Sequence, residues 1–346
     1  MTLRWAIVST GRISADFTRA LQANGSAVVA VSSRSKASAD AFGDKHGIAH
    51  RFASLEEMLA QASSLFDVVY VGTPHSQHAA DTIKALQAGA HVLCEKALAI
   101  NSTQVQQMIA ATNGRFLMEG MWTRFFPATK EIQRMISAGD LGQVRAVHGT
   151  FGFYYGGGAP RLVELADAGG ALLDIGVYLL FAASLAFGGF HKPENKATVV
   201  AHAIKGSTGC DNQTNLQLEL PGGRTATLFC SIQNALPNEI LIIGTRGTVK
   251  ISKPFHAPAT ATLTVALCDA EPGKVNAFEK TFQNEFSAAG FNFGGSEGFV
   301  HEIRAVEAAI AAGKTCCDEV SWDESLAVMK IMDEARSQIG LVYPNE

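Results

Sequence analysis

No cluster of lysines and arginines occurs in these 346 residues, and 28 basic against 32 acidic side chains leave a formal net charge of −4. Nucleic-acid binding needs a basic patch or stripe, so no nucleic-acid partner is expected. Long apolar runs are also missing. The longest, 171–173 with Ile175 and then 177–187, are interrupted or shorter than the roughly 20 residues that span a bilayer, and no membrane partner is expected. The opening MTLRWAIVSTGR alternates like a strand and lacks the apolar centre and small-residue cleavage site of a secretory leader. Six cysteines (Cys94, Cys210, Cys230, Cys268, Cys316, Cys317) form no CxxC pair and have no histidine-rich company. That argues against a zinc site and for reduced thiols, with Cys316-Cys317 an inert loop pair. Charge is scarce at 17%, whereas 47% of residues are hydrophobic, which suffices for buried cores and gives no signature of disorder. The expectation is a soluble, cytoplasmic globular protein, and the length favours two domains.

The first ~120 residues alternate short apolar runs, at 3–9, 27–33, 66–72, 91–94 and 115–118, with helical patterns near 14–23, 35–46, 76–88 and 102–112. Ser54-Leu-Glu-Glu57 reads as a capping box opening one more short helix. This alternation predicts an α/β domain over 1–122, a doubly wound parallel sheet with right-handed crossovers. After Pro127, which suits the first turn of a helix over about 127–138, the grammar changes. Strand-like runs follow near 143–153, 197–204, 213–220, 224–232, 238–243, 247–252 and 261–268, several divided by turns such as Pro221-Gly-Gly223. They predict an α+β domain over 123–346 on an open, mostly antiparallel sheet. A helix-rich insertion at about 160–188 interrupts it, and helices near 296–312 and 322–338 close the chain, the last behind the capping box Ser321-Trp-Asp-Glu324.

Between the first strand and helix stands Ser9-Thr10-Gly11-Arg12-Ile13-Ser14. Of the dinucleotide fingerprint G-x-G-x-x-G only the middle glycine remains, the one that lets backbone approach a pyrophosphate. Serine can replace the flanking glycines where φ stays negative. The stretch is either an ordinary β–α turn or a cofactor turn, and its place in the first strand–helix unit favours the latter. The second strand ends in Ser33-Arg34-Ser35-Lys36, without the acidic residue that binds the ribose of NAD. Hydroxyls and cations suit a 2′-phosphate, so NADP(H) is the expected cofactor, against the alternative of a solvated loop. Two further strand ends, Thr73-Pro74-His75-Ser76-Gln77-His78 and Glu95-Lys96, belong to the same carboxyl edge. There Lys96 can hold cofactor ribose and substrate hydroxyls, or Glu95 and Lys96 can be an exposed ion pair of little worth.

The segments Gly72-Thr-Pro-His-Ser-Gln-His78, His91-Val-Leu-Cys-Glu-Lys96, Met118-Glu-Gly-Met-Trp-Thr-Arg-Phe-Phe-Pro127, Gly169-Gly-Ala-Leu-Leu-Asp-Ile-Gly-Val-Tyr178 and Ile339-Gly-Leu-Val-Tyr-Pro344 carry a resemblance. Together they resemble the glucose–fructose oxidoreductase / inositol dehydrogenase (GFO/IDH/MocA) family over essentially the whole chain. Within it they are most similar to the branch of dimeric dihydrodiol dehydrogenases and NADP-dependent D-xylose dehydrogenases. The resemblance implies a Rossmann domain plus a substrate domain whose open sheet often forms a homodimer. It also implies metal-free hydride transfer between NADP(H) and a sugar, polyol or trans-dihydrodiol. One departure is Ala97, where the family has proline after the lysine, which leaves the isomer of the Lys96–Ala97 bond open.

Asp174 and Tyr178 stand at i and i+4, on one face of a helix. Read from composition, Tyr178 is a core residue; the resemblance makes it the acid/base, with Lys96 favouring its phenolate and Asp174 orienting the substrate or the pair. Ser9, Gly11, Arg12, Ile13, Ser33, Arg34, Thr73, Pro74, His75, His78, Glu95 and Lys96 are the cofactor candidates. Trp122, Arg124, Phe125 and Arg161 either meet substrate or pack between domains. A 1,5-anhydrofructose-type ketose reductase, or a non-catalytic nucleotide-binding sensor, remains as alternative.

Overall fold

The computed structural model describes residues 3–157, 159–268, 274–283, 289–344 and 346. Six strands form the first sheet: β1 (Arg4–Val8), β2 (Ala27–Ser32), β3 (His50–Phe52), β4 (Val68–Val71), β5 (His91–Glu95) and β6 (Leu117–Gly120). Their order is β3-β2-β1-β4-β5-β6 and every pairing is parallel. β4 reads Val-Val-Tyr-Val and is buried throughout, as a strand covered on both faces must be. Helices Arg12–Ala23, Lys36–His46, His75–Gln87 and Ser102–Ala110 lie where the alternation places them. From β1 the chain builds outward through β2 and β3, then crosses to β4 on the other side of β1, so a crevice opens at the carboxyl edge between β1 and β4.

β3 is one strand more than the apolar pattern predicts. It holds three residues, His50-Arg51-Phe52, at the sheet's outer edge, too short and polar to show alternation. The serine half of each capping box forms. Glu57 N–H donates to Ser54 Oγ at 3.1 Å and Glu324 N–H to Ser321 Oγ at 3.2 Å. The reciprocal bond of the first runs from Ala53 N–H to Glu57 Oε2 at 3.1 Å, one residue before the serine.

The second sheet contains β7 (Val144–Gly152), β8 (Thr198–Lys205), β9 (Asp211–Leu220), β10 (Arg224–Ser231), β11 (Glu239–Gly244), β12 (Gly247–Ile251), β13 (Ala261–Cys268) and β14 (Val275–Phe282). The order is β14-β13-β12-β11-β7-β10-β9-β8, antiparallel except where β7 meets β10. β14 escaped the pattern because an edge strand exposed along almost its whole length needs no apolar alternation. In β8 and β9, by contrast, Val199, Ala201, Leu216 and Leu218 are buried while their strand neighbours face outward. Helix Val177–Phe187 covers the buried face: a Cβ added at Gly149 of β7 would meet Leu179 Cδ2 at 2.9 Å.

The stretch Leu165–Phe187 corrects the expectation that no apolar run reaches spanning length. It is long and apolar enough to cross a membrane, with a mean hydropathy of 1.9, and 94% of that window is buried inside the protein. The chain forms two compact units, Met1–Ala99 with Thr103–Phe125 and Asn284–Ser325, and Ile100–Ser102 with Phe126–Gln283 and Leu326–Glu346. Where one division at 122/123 is expected, each unit draws on more than one stretch of chain.

Leu179 is fully buried between its helix and the second sheet. Leu179→Ala is expected to cost about 3 kcal/mol through lost burial and the cavity left behind, read as a lowered urea midpoint with unchanged slope.

Candidate active site

The turn after β1 departs from the serine-for-glycine expectation. Ser9 takes φ +94°, the left-handed region that the fingerprint's first glycine occupies freely and that costs a side-chain-bearing residue on the order of 1 kcal/mol. Its Oγ accepts a hydrogen bond from Gly11 N–H at 3.2 Å, and its own N–H donates to Ser32 O at 3.0 Å. Gly11, at φ −69°, begins the helix, and a Cβ there would meet only Ser9 Oγ at 3.4 Å, so the backbone stays approachable. The third glycine's task, close helix–strand packing, has moved across the crevice. Ser14 is fully buried, and a Cβ on Gly72 would come within 2.5 Å of its Oγ. Beside the turn lies a cavity of about 350 Å³, lined by Thr10, Gly11, Arg12, Ser38, Lys45 and Asn292. Two cations and a bare backbone fit an anionic pyrophosphate. Ile13 is half-buried.

At the end of β2, Ser33 is half-buried and Arg34 exposed, while Lys36 pairs with Asp40 one helical turn on. Thr73 donates to Asp81 Oδ2 at 3.0 Å, and burial raises the Asp81 carboxyl against the opposing charge of Lys84 and Arg34. Pro74 caps helix His75–Gln87, and the buried His75 ring meets His78 edge-on at 5.5 Å. His78 is buried with its ring nitrogens 2.8 Å from the carbonyls of Thr73 and Ala97. It ties the turn after β4 to the turn after β5, next to Lys96; both contacts are donations only in the imidazolium form.

Glu95 is no exposed strand-end charge. It is buried, and the Tyr70 hydroxyl donates to its Oε1 at 2.7 Å. Tyr70 in turn stacks on Phe17 at 3.8 Å, and burial followed by the Glu95 charge holds its phenol well above the usual range. Lys96 is half-buried, and the Lys96–Ala97 bond is cis. Behind it Glu119 accepts from Leu98 N–H at 3.0 Å; burial pushes its carboxyl up to about 7, against the pull of Ser325, Leu98 and Lys96. Trp122 stacks on Phe299 at 4.2 Å, Arg124 donates to Glu319 O at 3.1 Å, and Phe125 is buried. Trp122 and Arg124 are thus packed within the first unit, onto its C-terminal segment.

In the second unit Asp174 and Arg161 come together, Nη1 donating to Oδ1 at 3.2 Å. Asp174 and Tyr178 do not share one uninterrupted α-helix as expected: Asp174 lies in a π-helical turn, Leu172–Gly176, that leads into the α-helix carrying Tyr178. Tyr178 is buried beside Phe151 (5.7 Å) and His256 (5.5 Å), the latter stacked on Phe151 at 4.2 Å. No motif singles out His256 or Phe151; the fold brings together the end of β7 and the loop after β12 here. The start of this helix is fixed by residues the motif leaves unexplained. A Cβ on Gly169 would fall 2.6 Å from the Leu162 backbone, and one on Gly170, at φ +129°, would overlap Asp211 Oδ1. Asp211 is fully buried, and its Oδ2 accepts from Leu172 N–H at 2.8 Å and Thr214 Oγ1 at 2.6 Å. Burial pushes its carboxyl up to about 6. Tyr343, from the closing segment, donates to Gly169 O at 2.9 Å, with the Arg336 guanidinium 5.0 Å over its ring. Among the described residues no group of His, Cys, Asp or Glu is placed to hold a metal.

Residues 3–120 match the model of the GFO/IDH/MocA oxidoreductase family with an NAD-binding Rossmann fold, and residues 129–250 match that family's C-terminal domain. Trans-1,2-dihydrobenzene-1,2-diol dehydrogenase of Danio rerio is 40% identical over 351 residues, covering 100% of this chain and 99% of its own; the Homo sapiens enzyme is 36% identical over 351 residues with the same coverage. Among solved structures, a 3-ketoreductase from Actinomadura kijaniata in complex with NADP and TDP-benzene is 25% identical with a TM-score of 0.82, covering 98% of both chains. An aldose-aldose oxidoreductase from Caulobacter crescentus is 26% identical with a TM-score of 0.80, covering 98% of this chain and 97% of its own.

Gly170→Ala is expected to lose about 3 kcal/mol or more, because it combines a strained φ with overlap on a buried carboxyl; urea denaturation measures it. Asp211 in the folded state holds its proton up to about 6, above the carboxyl's unfolded value near 4. Across that window the native state binds more protons, so stability falls as pH rises from about 4 to 6 and levels off above. The difference in urea midpoint between wild type and Asp211→Asn should change over that range and be flat beyond it.

Proposed function

The chain belongs to the GFO/IDH/MocA family of NAD(P)-binding oxidoreductases, and from that premise we propose an NADP(H)-dependent dehydrogenase acting on a hydroxyl-bearing carbon of a trans-dihydrodiol or sugar ring. The full-length identity of 40% to a trans-1,2-dihydrobenzene-1,2-diol dehydrogenase carries the substrate class. The reductases and oxidoreductases of similar fold support the sugar as a second member of it. Arg34 with Ser33 at the end of β2, where an NAD site has a carboxylate, favours NADP(H).

Bound nicotinamide supplies or accepts the hydride. In this reading the chain's residues bind, orient and move one proton. Gly11 leaves backbone open to the pyrophosphate, and Arg34 meets the 2′-phosphate. Lys96 holds hydroxyls at the strand edge. Tyr178 takes the hydroxyl proton on oxidation and returns it on reduction, the step a general acid/base supplies. Asp174, paired with Arg161, orients the substrate's remaining hydroxyls. We also propose a homodimer through the open face of the second sheet, where Val200 and Ile204 stand exposed, in the cytoplasm, where the six free cysteines would stay reduced.

NADP⁺ reduction by a trans-dihydrodiol, D-xylose and D-glucose, with NAD⁺ as control, tests the reading; no turnover on any of them together with no nucleotide binding would sink it. Tyr178→Phe is expected to lower kcat by about 10²–10⁴-fold while NADPH Kd stays within about twofold. Arg34→Ala is expected to weaken NADPH by roughly tenfold and leave NADH unchanged. Light scattering should return twice the 36.6 kDa chain mass.

A further inference from the structure

The segment around Asn292 and Phe293 is strapped onto the helix that begins at Gly11, and the strap is made almost entirely by one carboxylate. Asp16 is fully buried. Its Oδ1 accepts from Asn292 N–H at 2.8 Å and Asn292 Nδ2 at 2.7 Å, and its Oδ2 from Phe293 N–H at 3.0 Å and Ser296 Oγ at 2.8 Å. Asn292 Nδ2 also reaches Arg12 O at 3.2 Å.

Arg12 stands four residues before Asp16, one turn away on the same helix face. Its guanidinium lies 4.6 Å over the Phe293 ring and donates from Nη2 to Asn292 O at 3.2 Å. Asn292 is also a wall of the cavity beside the glycine turn. An arginine in the first turn of a helix otherwise samples solvent freely, and an aspartate one turn on repels an anion. Here four strap donors absorb the carboxylate, and a ring with a carbonyl holds the cation in place before any ligand arrives. Preorganising a cation cuts the ordering cost of binding.

We propose that Asn292 and Phe293 are positioning residues of the dinucleotide site, which hold the Arg12 guanidinium as a clamp for the phosphate groups beside Gly11. The proposal rests on the NADP(H) reading above. Nothing in the local sequence, Gly290-Phe-Asn-Phe-Gly-Gly-Ser296, resembles a nucleotide motif; its part follows from its contacts with Asp16 and Arg12.

The test is NADPH titration of wild type, Arg12→Ala, Phe293→Ala, Phe293→Tyr and the Arg12→Ala/Phe293→Ala double variant. Phe293 is 38% exposed, so its truncation leaves the fold standing, which a melting curve checks. We expect Kd to rise about tenfold in Arg12→Ala and about fivefold in Phe293→Ala. Phe293→Tyr should restore wild-type affinity, and the double variant should be no worse than Arg12→Ala, since residues acting through one another are not additive. Phe293→Ala within twofold of a binding wild type, or single effects that multiply in the double variant, would overturn the inference and leave the function standing. A wild type that binds neither NADPH nor NADH would overturn both.

Discussion

Parallel pairing is the constraint on which the nucleotide half depends. Six strands running one way deliver the turns after β1, β2, β4 and β5 to a single edge, and the reversal of strand order between β1 and β4 opens a crevice there. Gly11, Arg34, Thr73 and Lys96 lie far apart in the chain and share that edge because each follows a strand of the same sheet. Even the packing rule of the turn after β1 obeys the sheet rather than the motif. The close approach made by a third glycine in the usual fingerprint is made by Gly72, at the end of the neighbouring strand, against Ser14.

Buried carboxylates then fix what the sheet has brought near. Asp16 ties the segment at Asn292 to the first helix, Glu95 takes the Tyr70 hydroxyl beside Lys96, and Asp211 holds the start of the helix that carries Tyr178. A buried charge is costly without donors, and the donors must arrive in fixed directions, so each of these groups locks backbone geometry as an apolar contact does not. Glu302 shows the opposite case. It is fully buried with no hydrogen-bond partner among the described residues, and burial with the nearby Glu95 charge raises its carboxyl well above the usual range.

Legibility in the sequence tracks burial pattern. The capping boxes at Ser54 and Ser321 and the alternation of β8 and β9 follow from local rules, so neighbouring residues alone reveal them. β3 and β14 stay hidden: edge strands bury one side or neither, and leave no apolar rhythm. The Gly169-Gly170 pair is visible as a motif, yet its reason, the Leu162 backbone and the Asp211 carboxyl, lies in strands and turns with no motif at all. Trp122 and Arg124 read equally as pocket walls or as packing residues; their partners, Phe299 and Glu319, come from a distant stretch of the chain that no local pattern connects to them.

By itself the sequence determined the strand–helix alternation and the family, and it put forward Lys96, Asp174 and Tyr178 as candidates, because apolar periodicity and short motifs are properties of neighbours along the chain. Only the tertiary structure decided that Ser9 keeps a glycine's φ, that Arg161 belongs to Asp174, and that Asp211 and Tyr343 seat the Gly169-Gly170 turn. Those pairings join residues that no local pattern connects, and they exist because burial forces each polar group to find a partner wherever the fold has placed one.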